Sequence, residues 1–216
     1  MDKKEGKRQY RFLKLFGDSV KEFTHLENIL ILAMITALYV VLKVFAANLD
    51  ISSRVSFTIM ATTVAGMLFG PIPAMLVGTI GDILGFFMKP SGTFFPGFTL
   101  TEAIKGLVCG IMLYKMRKPY FFRIEAVKSE DGNMSERKMP RFDYIFLIRV
   151  IVMMVIVAVI NVLLNTYWLH ILYGKAYTVY LAKRITENSI QLPANIILAY
   201  FLLIGLYKAN IHRFKK

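Results

Sequence analysis

Long apolar stretches separated by polar connections form the main pattern of the chain. Four of them, over residues 26–47, 98–116, 144–169 and 189–207, are close to the roughly 20 residues that a helix needs to cross a bilayer. Two more lie between residues 55 and 88, divided by Gly70-Pro71-Ile72-Pro73, because proline cannot continue a helix. The pattern predicts an all-α integral membrane protein, a bundle of six transmembrane helices.

The composition agrees with a membrane location and excludes other classes of protein. Hydrophobic residues make up 56% of the 216 residues, against roughly 45–50% in an average soluble protein. A chain of this length cannot bury so much apolar surface, so the excess is expected to face lipid. The single cysteine, Cys109, excludes a disulfide framework within the chain, and three scattered histidines do not suggest a metal site. No cofactor is expected.

Lysine and arginine predict the orientation of the chain. Of the 27 basic residues, 19 lie before residue 26, between residues 115 and 141, or from residue 208 onward. Six spans place these segments on one side, and an excess of basic residues marks the cytoplasmic side. Both termini are therefore expected in the cytoplasm. The net charge of +13 is attributed to this orientation and to contact with anionic lipid, not to nucleic acid.

The same pattern predicts three parts of the chain. Residues 1–25 form a basic cytoplasmic segment, residues 26–207 the membrane domain, and residues 208–216 a basic cytoplasmic tail. Within the membrane domain, a cytoplasmic connection at about 117–142 is predicted to be a flexible hydrophilic loop.

Three charged residues, Asp82, Glu102 and Lys105, lie inside the third and fourth predicted spans. An ionisable residue within the membrane is a candidate for function. The structural alternative is an internal ion pair that joins neighbouring spans. The sequence leaves both interpretations open.

Small residues at a spacing of four predict close helix packing. Gly66-x-x-x-Gly70 and Gly106-x-x-x-Gly110 are interpreted as packing seams inside the bundle. Ala33 and Ala37 repeat the spacing in the first span and leave a flat strip on which another helix could lie.

Polar and aromatic residues gather near the outer ends of the spans. Arg54, Trp168 and Arg184, taken singly, fit an interfacial belt of aromatic side chains and snorkelling bases. Their grouping in separate outer connections, together with the amides Asn165 and Gln191 in the last two spans, favours an external pocket. Arginine, amide and aromatic groups suit a planar, hydrogen-bonding anion.

Motifs of several enzyme classes are absent from the sequence. It contains no Gly-x-x-x-x-Gly-Lys-Ser/Thr phosphate loop, no His-Glu-x-x-His and no Gly-x-Ser-x-Gly. We therefore expect that the chain does not hydrolyse ATP by means of a phosphate loop.

A series of motifs, in their order along the chain, resembles the substrate-binding S component of energy-coupling factor (ECF) vitamin transporters, in particular the folate branch. The resemblance extends over about residues 26–207. The motifs are Arg54-Val-Ser-Phe57, Gly66-Met-Leu-Phe-Gly-Pro71, Gly78-Thr-Ile-Gly-Asp82, Pro90-Ser-Gly-Thr-Phe-Phe-Pro-Gly-Phe98, Asn161-Val-Leu-Leu-Asn-Thr-Tyr-Trp168, Arg184-Ile and Gln191-Leu-Pro193.

The resemblance implies a transport subunit of a bacterial plasma membrane, which is not an enzyme. It implies an external vitamin pocket, a transmembrane coupling (T) subunit and two cytoplasmic ATPases as partners, and delivery of the vitamin as the S subunit topples in the membrane. Ala33 and Ala37 match the alanine motif that contacts the coupling subunit. The residues expected to bind substrate are Arg54, Phe57, Asp82, Phe94, Phe98, Asn165, Trp168, Arg184 and Gln191.

Folate is the expected vitamin, because its pterin and aminobenzoyl rings can stack on Phe94, Phe98 or Trp168 and its glutamate can pair with Arg54 or Arg184. A queuosine precursor or another vitamin would use similar groups. Two alternatives from other classes remain. A membrane-embedded enzyme that uses Asp82 and Glu102 would turn over substrate alone, and a scaffold protein would bind no small ligand.

Overall fold

The computed structural model describes residues 14–48, 57–90, 92–114, 122–128, 134–140, 144–174 and 177–208. These residues form seven α-helices, one short 3₁₀ helix (Glu22–Thr24) and two antiparallel strands. The helices are α1 (14–21), α2 (Leu26–Asn48), α3 (Thr58–Phe69), α4 (Pro71–Met88), α5 (Pro96–Leu113), α6 (Tyr144–Tyr173) and α7 (Tyr177–Lys208).

Helices α2, α4, α5, α6 and α7 are long and apolar enough to cross a membrane. The exception among the six predicted spans is α3, which is apolar but has 12 residues. At 1.5 Å per residue it is about 18 Å long, shorter than the roughly 30 Å hydrocarbon core. The prediction of a helical membrane protein is confirmed, and the structure supplies five full-length candidate spans.

The last helix begins earlier than the predicted span at residue 189, because α7 starts at Tyr177. The added turns are polar, and their side chains have partners that hydropathy cannot reveal. Lys183 lies 3.8 Å from Glu187 one turn later, and Asn188 contacts the neighbouring helix α6. Polar residues that pair within the protein can therefore extend a membrane helix beyond its apolar stretch.

The predicted flexible loop at about 117–142 requires a correction, whereas the membrane-spanning part of the described chain is helical as predicted. Residues Phe122–Lys128 form strand β1 and Met134–Pro140 form strand β2. The strands pair antiparallel, with Phe122 opposite Pro140 and Lys128 opposite Met134. The alternation Phe122-Arg-Ile-Glu-Ala is typical of a strand, and Asp131-Gly132 between the strands is a hairpin signal. Because the segment as a whole is hydrophilic, it was predicted to be a loop although its first residues alternate as in a strand.

Helix α3 lies at the centre of the described bundle and joins its two apolar clusters. One cluster is formed by α2, α3 and α4, and the other by α3, α5, α6 and α7. Nine of the 12 residues of α3 are buried. A helix enclosed in this way is apolar all round, which explains why α3 lacks a polar face despite its short length.

The two ends of the helix bundle are named here after residues that lie at them. The aromatic end contains Phe95 and Trp168 and is where α4 ends and α5 begins. The Tyr114 end contains Tyr114, directly after α5, and Gly70, between α3 and α4. Contacts of α4 with α5 pair residues such as Gly78 with Glu102 and Ala74 with Gly106, so the two helices are antiparallel.

Glycines bring α3, α4 and α5 into backbone contact, as the spacing of four predicted. A Cβ atom at Gly106 would lie 2.3 Å from the backbone oxygen of Ala74. A Cβ at Gly110 would lie 2.3 Å from the Cα of Pro71, and one at Gly66 would lie 2.8 Å from the nitrogen of Gly110. The predicted seams are therefore present, and no other residue type fits at these positions without moving a backbone.

The short helix α1 is docked on the Tyr114 end. The Ser19 hydroxyl donates to the carbonyl of Phe69 at 3.0 Å and accepts from the amide of Ile72 at 3.2 Å, so it bridges the α3–α4 turn. The hydroxyl of Tyr114 donates to Glu22 at 2.7 Å. Burial, together with this bond, raises the pKa of Tyr114. Residues near the end of the predicted basic segment, 1–25, thus pack on the bundle itself.

Replacing Gly106 by valine should destabilise the protein. The branched side chain would meet the α4 backbone, which cannot rotate away as a side chain can, so we expect a loss of about 3 kcal/mol, the upper range for over-packing. The measurement is thermal unfolding of the detergent-purified protein. Gly205→Val is the matched control, because nothing lies within 4 Å of a Cβ at Gly205 on α7. Equal unfolding temperatures for the two variants would contradict the seam.

Candidate functional site

Aromatic rings form two groups at the aromatic end. In the first, Phe98 packs edge to face with Phe95 at 6.0 Å between ring centroids, and Phe95 lies 5.7 Å from Trp168. In the second, Phe94 lies 5.2 Å from Phe86 and stacks on Phe87. The structure therefore brings together Phe98 and Trp168 of the predicted site but places Phe94 in a separate group.

Trp168 is held in a defined orientation by α5. Its indole N–H donates to the hydroxyl of Thr101 at 3.0 Å, and that hydroxyl donates to the carbonyl of Gly97 at 3.1 Å. Gly97 also leaves room for the indole, since a Cβ there would lie 2.5 Å from the ring of Trp168. The ring is half-buried and its polar edge is satisfied, so one part of it is available for stacking.

Asp82 forms an ion pair with a lysine of the first long helix. Lys43 of α2 lies 2.5 Å from the Asp82 carboxylate and also donates to the Asp82 backbone carbonyl at 2.7 Å. The second carboxylate oxygen accepts from the hydroxyl of Thr99 at 2.8 Å. Gly85 leaves space for the stem of Lys43, since a Cβ there would lie 2.6 Å from it. These contacts join α2, α4 and α5 and match the structural interpretation of Asp82.

Glu102 is the centre of a second polar group. It lies one turn after Thr99 on α5, further from the aromatic end. Each of its two carboxylate oxygens accepts one hydrogen bond. One bond comes from the hydroxyl of Tyr39 on α2 at 3.0 Å, and the other from the ammonium group of Lys105, also on α5, at 2.5 Å. Lys105 is 3% exposed and reaches Asn161 of α6 at 3.5 Å. Since a buried charge without a partner is costly, the pair is expected to fix the positions of both side chains.

Amide side chains continue this group across α6 and α7. Asn161 accepts from Asn165 at 2.7 Å and donates to Asn188 at 3.1 Å. Asn188 in turn donates to the carbonyl of Arg184 at 2.9 Å. The chain of bonds therefore runs from Tyr39 on α2 to α7. Such a continuous polar path through an apolar bundle fixes the relative positions of its helices.

A cavity of about 30 Å³ opens beside these amides, between α3, α5, α6 and α7. It is smaller than a vitamin but has room for water. The residues that line it are Ile59, Lys105, Met154, Val157, Ala158, Asn161, Asn188, Gln191, Leu192 and Asn195. Predicted site residue Gln191 is among them, and Asn165 is bonded to the wall residue Asn161.

The other predicted site residues have varied positions. Phe57, directly before α3, and Arg184 on α7 are half-buried. Arg184 is one turn from the cavity residue Asn188, in the direction of the aromatic end. Arg54 lies outside the described residues. Ala33 and Ala37 are both exposed on α2, beside the exposed Met34 and Leu38.

Sequence reasoning missed the roles of Tyr39, Lys43 and Asn195. A signal for Asn195 was present, because Asn188, Gln191 and Asn195 share one face of a helix at a spacing of three and four residues. Tyr39 and Lys43 also lie on one face of α2, four residues apart, but only the structure shows which acid each of them meets.

The acidic groups of the described site already have partners. Both carboxylates, Asp82 and Glu102, are engaged in ion pairs and hydrogen bonds. In the described part of the chain, no three histidine, cysteine, aspartate or glutamate side chains are placed to hold a metal ion. What the arrangement offers is a set of hydrogen-bonding groups beside aromatic rings.

Comparison with known proteins places the chain in a family. The family model described as "ECF transporter, substrate-specific component" matches residues 27–203. The folate transporter FolT of Clostridium novyi (strain NT) is 29% identical over 147 residues, which are 68% of this chain and 70% of the relative. The folate transporter FolT of Leuconostoc mesenteroides is 25% identical over 178 residues, covering 80% and 82% of the two chains.

A solved structure has the same fold. The crystal structure of FolT bound with folic acid matches with a TM-score of 0.61 and 24% identity, over 82% of this chain and 93% of that chain. The family model includes all six long or central helices, from α2 to most of α7. The protein therefore belongs to the family of substrate-specific components of ECF transporters.

Proposed function

We propose that this protein is the folate-binding subunit of an ECF transporter. The observation that carries the proposal is its membership of the substrate-specific component family together with two relatives, 29% and 25% identical, that are folate transporters. The site supports it. Aromatic rings at one end and a cavity lined by amides suit a ligand with flat rings and many hydrogen-bonding groups.

The chain is proposed to cross the membrane six times, with both termini in the cytoplasm. Helix α2 ends at the aromatic end and α4 begins at the Tyr114 end, so the chain between them, α3 included, crosses the bundle. The segments rich in basic residues then lie on the side of the Tyr114 end, which the positive-inside rule assigns to the cytoplasm. The aromatic end faces outward from a bacterial plasma membrane.

Folate is proposed to enter at the aromatic end, where its rings stack near Trp168 and Phe98. Arg54 and Arg184 are proposed to bind the glutamate carboxylates, since a guanidinium group binds a carboxylate through two parallel hydrogen bonds. Phe57, Phe94, Asn165 and Gln191 are proposed to complete the pocket. Asp82 is proposed to act through its neighbours, because its carboxylate is occupied by Lys43 and Thr99.

Transport is proposed to require a transmembrane coupling subunit and two cytoplasmic ATPases. The exposed face of α2 supports a partner surface. Ala33 and Ala37 lie in a row of exposed apolar side chains, while Tyr39 on the opposite face is 1% exposed. Small side chains within such a face allow a second helix to approach closely. The ATPases supply the energy, in keeping with the lack of a phosphate loop in this chain.

The isolated protein should bind folic acid and report it through Trp168. As the only tryptophan, Trp168 gives all the indole fluorescence, and a stacked pterin should quench it. We expect saturable quenching by folic acid and none by riboflavin, thiamine or queuine. Titration of free N-acetyltryptophanamide controls for absorption of light by the vitamin. Saturable quenching by riboflavin or queuine, without quenching by folic acid, would assign a different vitamin and contradict the proposal.

A large side chain at Ala37 should separate transport from binding. Ala37→Trp would hold a partner helix away from α2, but Ala37 is exposed and no residue of α2 lines the cavity, so folate affinity should change less than twofold. The variant should not co-purify with the coupling subunit or support ATP-dependent uptake. Ala194→Trp, at an exposed position of α7, is the matched control and should retain both. Normal uptake by Ala37→Trp would show that this face of α2 contacts lipid only.

A further inference from the structure

Helix α1 has two faces with different surroundings. Successive residues of a helix are 100° apart, so its eight residues divide into two halves of the circumference. The inner face is buried or half-buried and consists of Leu15, Phe16, Asp18 and Ser19. The outer face is exposed and consists of Lys14, Gly17, Val20 and Lys21. One half of α1 is therefore left uncovered by the protein.

The acids of this segment are directed at the bundle. Glu22, directly after α1, accepts from the hydroxyl of Tyr114 at 2.7 Å and from the amide of Asn28 at 2.9 Å. Burial, the hydrogen bond to Glu22 and the charges of Glu22 and Asp18 raise the pKa of Tyr114, which places Asp18 near this group as well. Among the described residues, no ion pair joins either acid to a lysine of the outer face. The outer face therefore keeps its positive charge.

The inner face holds α1 at the level of the turn between α3 and α4. The hydroxyl of Ser19 is fully buried and is bonded to the backbones of Phe69 and Ile72. A Cβ atom at Gly70 would lie 2.7 Å from this hydroxyl oxygen, so a side chain there would displace α1. The exposed apolar part of α2 begins a few residues later, with Leu26. Helix α1 thus lies at the edge of the apolar bundle, where lipid headgroups begin.

The outer face has the composition of a surface that binds anionic lipid. Lys14 and Lys21 are two turns apart, about 10 Å along the helix axis. Between them is Gly17, and nothing lies within 4 Å of a Cβ at this position, so a headgroup has open access. Val20, at the edge of the face, is 53% exposed. Basic side chains beside an exposed apolar one are typical of a helix that lies in the membrane interface.

The sequence before α1 adds to the positive charge. It contains two acids and five further bases, the bases being Lys3, Lys4, Lys7, Arg8 and Arg11. A cluster of roughly four to eight bases immediately on the cytoplasmic side of a membrane helix is a signal for anionic lipid. Together with the two lysines of α1, seven bases precede α2. A zwitterionic headgroup carries no net charge and would not compensate them.

We propose that the outer face of α1 docks on anionic lipid headgroups of the cytoplasmic leaflet, with Lys14 and Lys21 contacting lipid phosphates and Val20 entering the acyl boundary. The proposal rests on the proposed orientation, in which the Tyr114 end is cytoplasmic, and does not depend on which vitamin is bound. Because the inner face is bonded to the α3–α4 turn, a lipid bound to the outer face restrains the whole bundle.

The test measures which lipid gathers beside α1. Val20→Cys is labelled with a fluorophore, and Cys109 does not compete because it is buried. The protein is placed in phosphatidylcholine nanodiscs that contain the same small fraction of quencher-bearing phosphatidylglycerol or phosphatidylcholine. Each base near an anionic surface is worth about a fivefold preference, so we expect the quenching to show at least fivefold enrichment of phosphatidylglycerol. Lys14→Gln/Lys21→Gln should lose more than half of this enrichment, and so should the wild-type residues in about 1 M salt.

A label at residue 179 is the matched control. Val179 is also an exposed valine and lies one turn before a lysine, Lys183, but at the start of α7 and beside the acid Glu187. Enrichment of phosphatidylglycerol at a labelled Val179→Cys should stay below twofold. Equal enrichment at the two positions, or none at residue 20, would overturn the docking.

Thermal unfolding tests whether lipid binding restrains the bundle. A molecule that binds only the folded protein stabilises it. Phosphatidylglycerol added to the detergent-purified protein should therefore raise the unfolding temperature more than phosphatidylcholine does, and Lys14→Gln/Lys21→Gln should lose this difference. Ser19→Ala keeps every base but lacks both bonds to the turn, so it should keep less than half of the difference. The full difference in Ser19→Ala would show that α1 does not transmit the restraint.

Folic acid binding, measured on the same preparations, separates the docking from the folate function. Lys14 and Lys21 belong to the Tyr114 end, whereas Trp168 lies at the aromatic end, so the double variant should bind folic acid within twofold of wild type. Normal folic acid binding without lipid enrichment overturns the docking alone. Enrichment without folic acid binding overturns the folate function alone. If the label at residue 20 responds to purified coupling subunit but not to phosphatidylglycerol, the outer face is a protein contact and the docking is wrong.

Discussion

The requirement that polar groups inside an apolar bundle have partners governs this structure, and the carboxylate of Glu102 links groups from several helices that meet it. It accepts from Tyr39 on α2 and from Lys105 on its own helix, and Lys105 leads through Asn161 to α7. In water each of these bonds would be worth little, whereas inside a bundle the alternative is an uncompensated charge. The group therefore fixes the helices that surround the cavity.

Glycines make that arrangement possible by bringing the backbones together. Gly78 lies directly against the backbone of Glu102, and Gly81 leaves the space that Tyr39 fills on its way to the carboxylate. A side chain at either position would push α4 away from α5 or α2 by more than a hydrogen bond can tolerate. The hydrogen bonds of Glu102 therefore depend on the glycines, because only the close approach of the helices brings the polar side chains within reach of each other.

Much of the fold was predictable from sequence because it depends on local properties. Apolar length gave five spans, proline gave the break at Gly70, and the spacing of Gly106 and Gly110 gave the seam. The start of α7 and the β hairpin were not predicted, because the first depends on contacts made in the folded protein and the second on a short alternation within a hydrophilic segment. Hydropathy averaged over a window of many residues detects neither the start of α7 nor the hairpin.

The site was predictable in its residue types but not in its pairings. The sequence indicated that Asp82, Glu102 and Lys105 needed partners, yet it could not show that Lys43 is the partner of Asp82 while Glu102 pairs within its own helix. Pairing depends on helix rotation, and a rotation of one residue, 100°, would direct these side chains elsewhere. Arg54 remains a prediction from sequence, since it lies outside the described residues.

The position of α2 connects the two proposed activities of the subunit. One face of this helix carries Ala33 and Ala37, proposed to contact the coupling subunit, and the other carries Tyr39 and Lys43, which bind the acids of α4 and α5. A helix held by two partly buried polar contacts cannot shift independently of the helices around the cavity. A force applied by a partner to α2 would therefore move the bundle as one body. This agrees with the delivery by toppling that the family resemblance implies, in which the ligand moves together with its site.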